Sequence, residues 1–190
     1  AASDVYKRQT MDLFNYSRRE SSEVNIGATP LGGNNPIRIQ SMTNTVTMDT
    51  EACVEQAKRI IDAGGEYVRL TTQGVREAEN LKNINIGLRS QGYDTPLVAD
   101  VHFNPKVADV AAQYAEKVRI NPGNYVDPGR TFRKLEYTDE EYAQEIEKIR
   151  ARFIPFLNIC KENHTAIRIG VNHGSLSVSY THLTLPTKLE

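Results

Sequence analysis

The sequence predicts an α/β fold: a partial TIM-type (β/α)8 barrel with a parallel sheet and about five of eight strands present. Three observations predict it. Short, near-continuous apolar runs alternate with amphipathic helical stretches, the pattern of a parallel sheet. No Gly-x-Gly-x-x-Gly follows the first strand, which counts against a doubly wound sheet with a dinucleotide site. Polar residues gather directly after each strand, where a (β/α)8 barrel has its active-site mouth.

The elements follow in order. Val24 to Ile26 and a turn-rich stretch from Thr29 to Asn35 predict a small hairpin ahead of the main series. Pro36 to Met42 reads as the first barrel strand. Asp49 or Thr47 caps a helix running to about Ala63, ended by Gly64-Gly65. Its apolar positions Ala52, Cys53, Ala57, Ile60 and Ile61 share one face. Tyr67 to Thr71 is the second strand and Val75 to Arg89 the second helix. Pro96 to Val101 is the third strand. Pro105, a good first-turn residue, opens a third helix to about Ala115. Lys117 to Asn121 is the fourth strand, followed by a turn-rich segment to Tyr137. Asp139 to about Glu162 is a charged helix, with Pro155 the place for an interruption. Ala166 to Val171 is the fifth strand.

The clusters that follow the strands are Ser41 to Thr45, Thr71-Thr72-Gln73, Asp100 with His102, Asn121 to Asn124, and Asn172 to Ser175. On a barrel all five converge on one mouth.

Composition excludes several classes. The net charge of -1 offers no bulk basic field for nucleic acid. No apolar run approaches bilayer length, and the N-terminus lacks the apolar region of a signal peptide. The sequence thus reads as cytoplasmic, without nucleic-acid or membrane partners. Cys53 and Cys160 stand far apart with no Cys-x-x-Cys or Cys/His spacing, so the chain offers no metal site. Both read as small apolar helix residues.

Residues 1–9 and 178–190 resemble translated adapter or cloning sequence and are set aside. Residues 10–177 form the N-terminal part of the barrel, with Met11 a plausible start. The expectation is that the natural protein continues beyond Ser177 and that this chain is a fragment.

Three strands share one odd pattern: Tyr67-Val68-Arg69-Leu70, Lys117-Val118-Arg119-Ile120 and Ala166-Ile167-Arg168-Ile169. A buried guanidinium is costly without a partner. It is also the group best shaped to fork onto carboxylate or phosphate oxygens. Three arginines at one position of three strands point to a shared anion pocket. The alternative is structural ion pairing with the chain's own acids.

Four motifs in one order then carry a specific resemblance. They are Ile39-Gln40-Ser41-Met42-Thr43-Asn44-Thr45, Leu97-Val98-Ala99-Asp100-Val101-His102-Phe103, Arg119-Ile120-Asn121-Pro122-Gly123-Asn124 and Ile167-Arg168-Ile169-Gly170-Val171-Asn172. Residues 11–177 resemble the 4-hydroxy-3-methylbut-2-enyl diphosphate synthase family of the non-mevalonate isoprenoid pathway. The ending Asn172 to Ser177 resembles the variant of plants and Bacteroidetes-like bacteria, which carries an extra domain.

The resemblance implies an iron-sulfur oxidoreductase as the full-length parent. The family reductively opens 2-C-methyl-D-erythritol 2,4-cyclodiphosphate, losing water. Electrons from ferredoxin or flavodoxin pass through a [4Fe-4S] cluster held in a separate C-terminal domain. Its cysteine and glutamate ligands have no match here; in the family the separate domains often meet across a dimer, which allows a homodimer of the parent. The resemblance matches Arg69, Arg119 and Arg168 to the family's substrate-clamping arginines. Asn121 and Asn172, two and four residues after their arginines, are positioned to donate to phosphate or hydroxyl oxygens.

Asp100 and His102 are the candidate catalytic residues. Two apart on a strand, they share a face, so the acid could orient the imidazole and keep it charged. Asp100 could equally balance a neighbouring arginine. Arg38 reads better as a barrel-bottom ion pair. Ser41, Thr43 and Asn44 read equally as mouth residues or as turn and cap groups. His173 could reach the pocket.

Two other readings stay open. One is a pterin-binding barrel of the dihydropteroate-synthase type, with Asp100 as ring acceptor. The other is a fragment that binds a ligand without catalysis, since the redox centre and part of the barrel are missing.

Overall fold

The structure, a computed structural model, describes residues 20–102, 104–121, 125 and 138–170. Two strands, β1 (Val24–Ile26) and β2 (Thr29–Leu31), pair antiparallel as the anticipated hairpin. Gly27 sits between them at φ 55°, a left-handed turn that glycine adopts without steric cost.

Five strands then form a parallel sheet in sequence order: β3 (Gln40–Met42), β4 (Tyr67–Thr71), β5 (Leu97–Asp100), β6 (Lys117–Ile120) and β7 (Ala166–Ile169). Helices α1 (Thr50–Asp62), α2 (Val75–Arg89), α3 (Pro105–Ala111) and α4 (Asp139–Glu162) supply the crossovers. Unreversed strand order is what distinguishes a barrel wall from a doubly wound sheet, whose order turns back at a switch point. All four helices lie on one face of this sheet, as a barrel requires. Their buried residues Val54, Leu81, Ile84 and Val107 join Val68, Leu70, Leu97, Ala99, Val118 and Ile120 in one core.

That core explains the arginines within apolar runs. Side chains of a strand alternate between faces. In β4 Val68 and Leu70 meet the helices, while Tyr67, Arg69 and Thr71 face the other way. The same parity puts Val98 and Asp100 of β5, Lys117 and Arg119 of β6, and Arg168 of β7 on the inner face. Each run is therefore half core and half polar lining.

The hairpin closes the N-terminal end of this lining. Ile26 packs on Tyr67 and Val98, and the Tyr67 hydroxyl donates to the Thr29 carbonyl at 2.9 Å. Arg38 completes that end by pairing with Glu66 at 2.7 Å and donating to the Pro30 carbonyl. This is the barrel-bottom ion pair foreseen for it.

Four local expectations need correction. The first barrel strand is only Gln40–Met42, because Ile37 and Ile39 lie exposed without a core to meet. The third helix ends at Ala111, and β7 is described to Ile169. Helix α4 runs on through Pro155. Proline removes one backbone donor there, but Phe153, Phe156 and Cys160 around it pack against the core and hold the next turn in place.

Candidate functional site at the strand ends

Register sets the site. Thr71 pairs with Asp100, Asp100 with Arg119, and Arg119 with Arg168, so four strands contribute one row of side chains at the C-terminal end of the sheet. Arg69 pairs with Val98 and stands one layer lower. The three arginines thus do not share one position, as the sequence pattern implied. Arg119 and Arg168 do, and Arg69 reaches up from below.

Asp100 is the centre of the group. It is 1% exposed, and a carboxylate so enclosed requires charged partners. Arg69 donates Nη2 to its Oδ2, and Arg119 donates Nη1 to its Oδ1 at 3.1 Å. Arg119, 5% exposed, also donates Nη2 to the Gly170 carbonyl at 3.1 Å. One guanidinium therefore ties the end of β5 to the end of β7. The Arg69 Nε is buried with no hydrogen-bond partner among the described residues.

His102 places Nε2 3.9 Å from Asp100 Oδ2. That is beyond a hydrogen bond. Asn121 is buried at the end of β6, directly above Arg119. Arg168 is exposed on the outermost strand. Asn172 and His173 lie outside the described residues. Of the five proposed binding residues, the fold thus gathers Arg69, Arg119 and Asn121 tightly, with Arg168 open beside them. Asp100 joins both deeper arginines, as the structural alternative for it held.

After β3, Asn44 is a turn residue. Its backbone N–H and that of Thr45 donate to Gln56 Oε1, and Gln56 Nε2 returns a bond to Asn44 Oδ1. Thr43 is buried, and its hydroxyl has no partner among the described residues.

Two contributors escaped sequence reasoning. A Cβ on Gly170 would land on the Arg119 guanidinium, so only glycine admits that side chain. The available signal was an isolated glycine at a strand end, which marks close approach. The second is Lys117, 7% exposed on the inner face within the layer of Arg69. Burial, with the Arg168 and Arg69 charges, pushes its pKa down.

A buried carboxylate pairs with two guanidiniums here, and a third guanidinium is open beside them. Guanidinium forks match phosphoryl oxygens, and groups fixed before binding lose little freedom on binding.

Comparison with known proteins fits this arrangement. The family model of the GcpE TIM-barrel domain matches residues 21–187. The chain belongs to the GcpE TIM-barrel family. It is 99% identical over 167 residues to a protein of Phocaeicola vulgatus named 4-hydroxy-3-methylbut-2-en-1-yl diphosphate synthase (flavodoxin). It is 90% identical over 167 residues to a protein of that name in Bacteroides thetaiotaomicron. Each match takes in 88% of this chain but 27% of the relative, so the GcpE chain described here spans about a quarter of their length. Among solved structures, dihydropteroate synthase of Burkholderia cenocepacia superposes with a TM-score of 0.45 at 17% identity, over 79% of this chain and 62% of that one. So distant a likeness bears on nothing further. Membership in the GcpE family displaces the pterin-binding alternative.

Proposed function

We propose that this GcpE chain is the substrate-holding part of a 4-hydroxy-3-methylbut-2-enyl diphosphate synthase barrel. Its strand-end arginines hold the phosphoryl oxygens of 2-C-methyl-D-erythritol 2,4-cyclodiphosphate. The observation that carries this is the row Asp100–Arg119–Arg168 with Arg69 beneath it. The names of the relatives, which specify a diphosphate and flavodoxin, support the ligand class and favour flavodoxin as the electron donor of the parent.

The chain's own residues bind and orient. Arg168 meets the anion first, being open to water. Arg119 and Arg69 are aimed by Asp100, and Asn121 and Asn172 complete the hydrogen bonding. His102, at the strand end beside Asp100, is the candidate proton donor for the oxygen lost as water. Fixing the reacting ring against these groups converts binding into orientation.

The [4Fe-4S] cluster supplies the electrons in the parent, but this chain does not fit it. Among the described residues no group of three or more His, Cys, Asp or Glu side chains is close enough to hold a metal. Cys53 and Cys160 are buried free thiols, and burial raises the pKa of both. A cluster needs thiolates. We therefore assign the cluster to the remainder of the parent and derive no step through it.

The test uses the full-length synthase. Arg168→Ala should lower kcat/KM for the cyclodiphosphate about 10²–10³-fold, as removal of a fixed charged donor does. Arg119→Ala should cost at least as much. Unaltered kinetics in both variants would remove the row from substrate binding.

A further inference from the structure

Lys117 is a cation without an acidic partner among the described residues. It lies at the start of β6 on the inner face, two residues below Arg119, where neighbouring side chains are the small Val98 and Ala166. Its ammonium rides 5.3 Å above the centre of the Tyr67 ring. That ring is fixed by its hydroxyl bond to the hairpin, so it forms a firm floor. No carboxylate pairs with Lys117 among the described residues, and both oxygens of the nearest inner-face acid, Asp100, are engaged by Arg69 and Arg119. Along β4 to β7 the inner face therefore carries Arg69, Lys117, Arg119 and Arg168 against Asp100 alone.

An apolar residue would fill the space beside Val98 and Tyr67 without burying a charge, and burying a charge unpaired is expensive. The cation–π contact offsets part of that cost. The remainder points to a partner that comes and goes.

We propose that Lys117 is a further ligand-positioning residue of the strand-end site, a second layer of positive charge that holds the inner phosphoryl group of a bound diphosphate from below. This rests on the anion-binding reading of the arginine row. It adds depth to it: one phosphoryl group lies against Arg168 and Arg119, and the other lies within reach of Lys117 and Arg69. A monophosphate would meet only one layer, so Lys117 makes the site selective for two linked phosphoryl groups.

The charge state gives a distinctive readout. Before binding, burial and the flanking guanidiniums disfavour the protonated amine. A bound dianion reverses the sign of its surroundings and favours it. Binding above the ordinary histidine range should therefore take up a proton. The groups facing Lys117 are Tyr67 and Arg69 on β4, Asp100 and His102 at β5, Arg119 on its own strand and Arg168 on β7.

The experiment is titration calorimetry of the full-length synthase with inorganic pyrophosphate and, separately, inorganic phosphate. It is run across about pH 8–10 in buffers of different ionisation enthalpy. Relative to Lys117→Met, unmodified protein should bind pyrophosphate with proton uptake, the ligand's own proton release being common to both. Lys117→Met should lose the uptake and weaken pyrophosphate at least tenfold, with little change for phosphate. Lys117→Arg should keep the affinity within a few-fold while losing the uptake, because arginine does not titrate there. Equal affinity and equal uptake in Lys117→Met would overturn the inference alone. So would loss of affinity in Lys117→Arg as large as in Lys117→Met. Failure of the unmodified protein to bind pyrophosphate, with Arg168→Ala also without effect on turnover, would overturn the arginine site and this inference together.

Discussion

Asp100 does two jobs with one carboxylate, and its removal separates them. Its side chain is 2% exposed and that of Arg119 6% exposed. In Asp100→Asn the amide cannot neutralise two guanidiniums, so buried positive charge is left uncompensated. Breaking such a pair costs about 3–5 kcal/mol, which a urea midpoint would register. Asp100→Glu, which keeps the charge, should recover part of it; a loss as large as that of the amide would mean that packing matters here rather than charge. Gly170→Ala tests the same guanidinium from the opposite side. The added methyl must push Arg119 off the Gly170 carbonyl, so cyclodiphosphate affinity should fall at least tenfold with a smaller effect on stability. The sequence showed the arginines plainly, because charge inside an apolar run is rare. It hid the layer of each, since register comes from pairing between distant strands and not from local spacing. Lys117 escaped notice for a related reason: at the head of its run it read as the strand's polar boundary.

At the scale of elements, the helices dock by features that can be probed singly. Asp49 caps α1 by accepting from the Ala52 N–H at 3.0 Å, so Asp49→Ala should cost about 1 kcal/mol of stability. Helix α4 docks through Phe153, Phe156 and Cys160, with Tyr125 packed edge-on to Phe153. Burial pushes the Cys160 thiol up to about 11 from 9.0. The folded state thus holds its proton after the unfolded state has lost it. This contribution to stability is complete below pH 9 and is lost as pH rises toward about 11. Cys160→Ala should flatten that alkaline decline in a series of melts. At mildly alkaline pH a disulfide reagent such as DTNB should label neither Cys53 nor Cys160 until the chain is unfolded; rapid labelling of folded protein would refute their burial. Pro155 shows the limit of local rules. A proline predicts a break from propensity alone, but the docked aromatic residues on both sides decide the outcome. Arg38 shows the opposite case, since it stands ahead of the motif that begins at Ile39, and that place already separated it from the other arginines.

The whole molecule is a sheet with two unpaired borders among the described residues, β3 and β7. Ile37, Ile39 and Met42 are exposed by the first border and Ile169 by the second. Such edges invite pairing with other chains. Concentration-dependent association is therefore expected for this chain, and sedimentation at two concentrations would check it. Yet Arg69, Asp100, Arg119 and Gly170 meet without help from either border. The proposed anion site lies inside the wall and not across the opening. A ligand can therefore stabilise the chain even where the chemistry is out of reach. With cyclodiphosphate at a hundredfold excess over Kd, linkage gives about 2.7 kcal/mol, equivalent to a rise of roughly 5–10 °C in Tm for a chain of this size. The same sample supplied with a reductant should show no turnover, since the described residues offer no cluster ligands. A broad melt indifferent to the ligand would mean that the arginine row forms only when the rest of the parent closes the barrel. Turnover would mean that a redox centre assembles on this chain by a route its described residues do not provide.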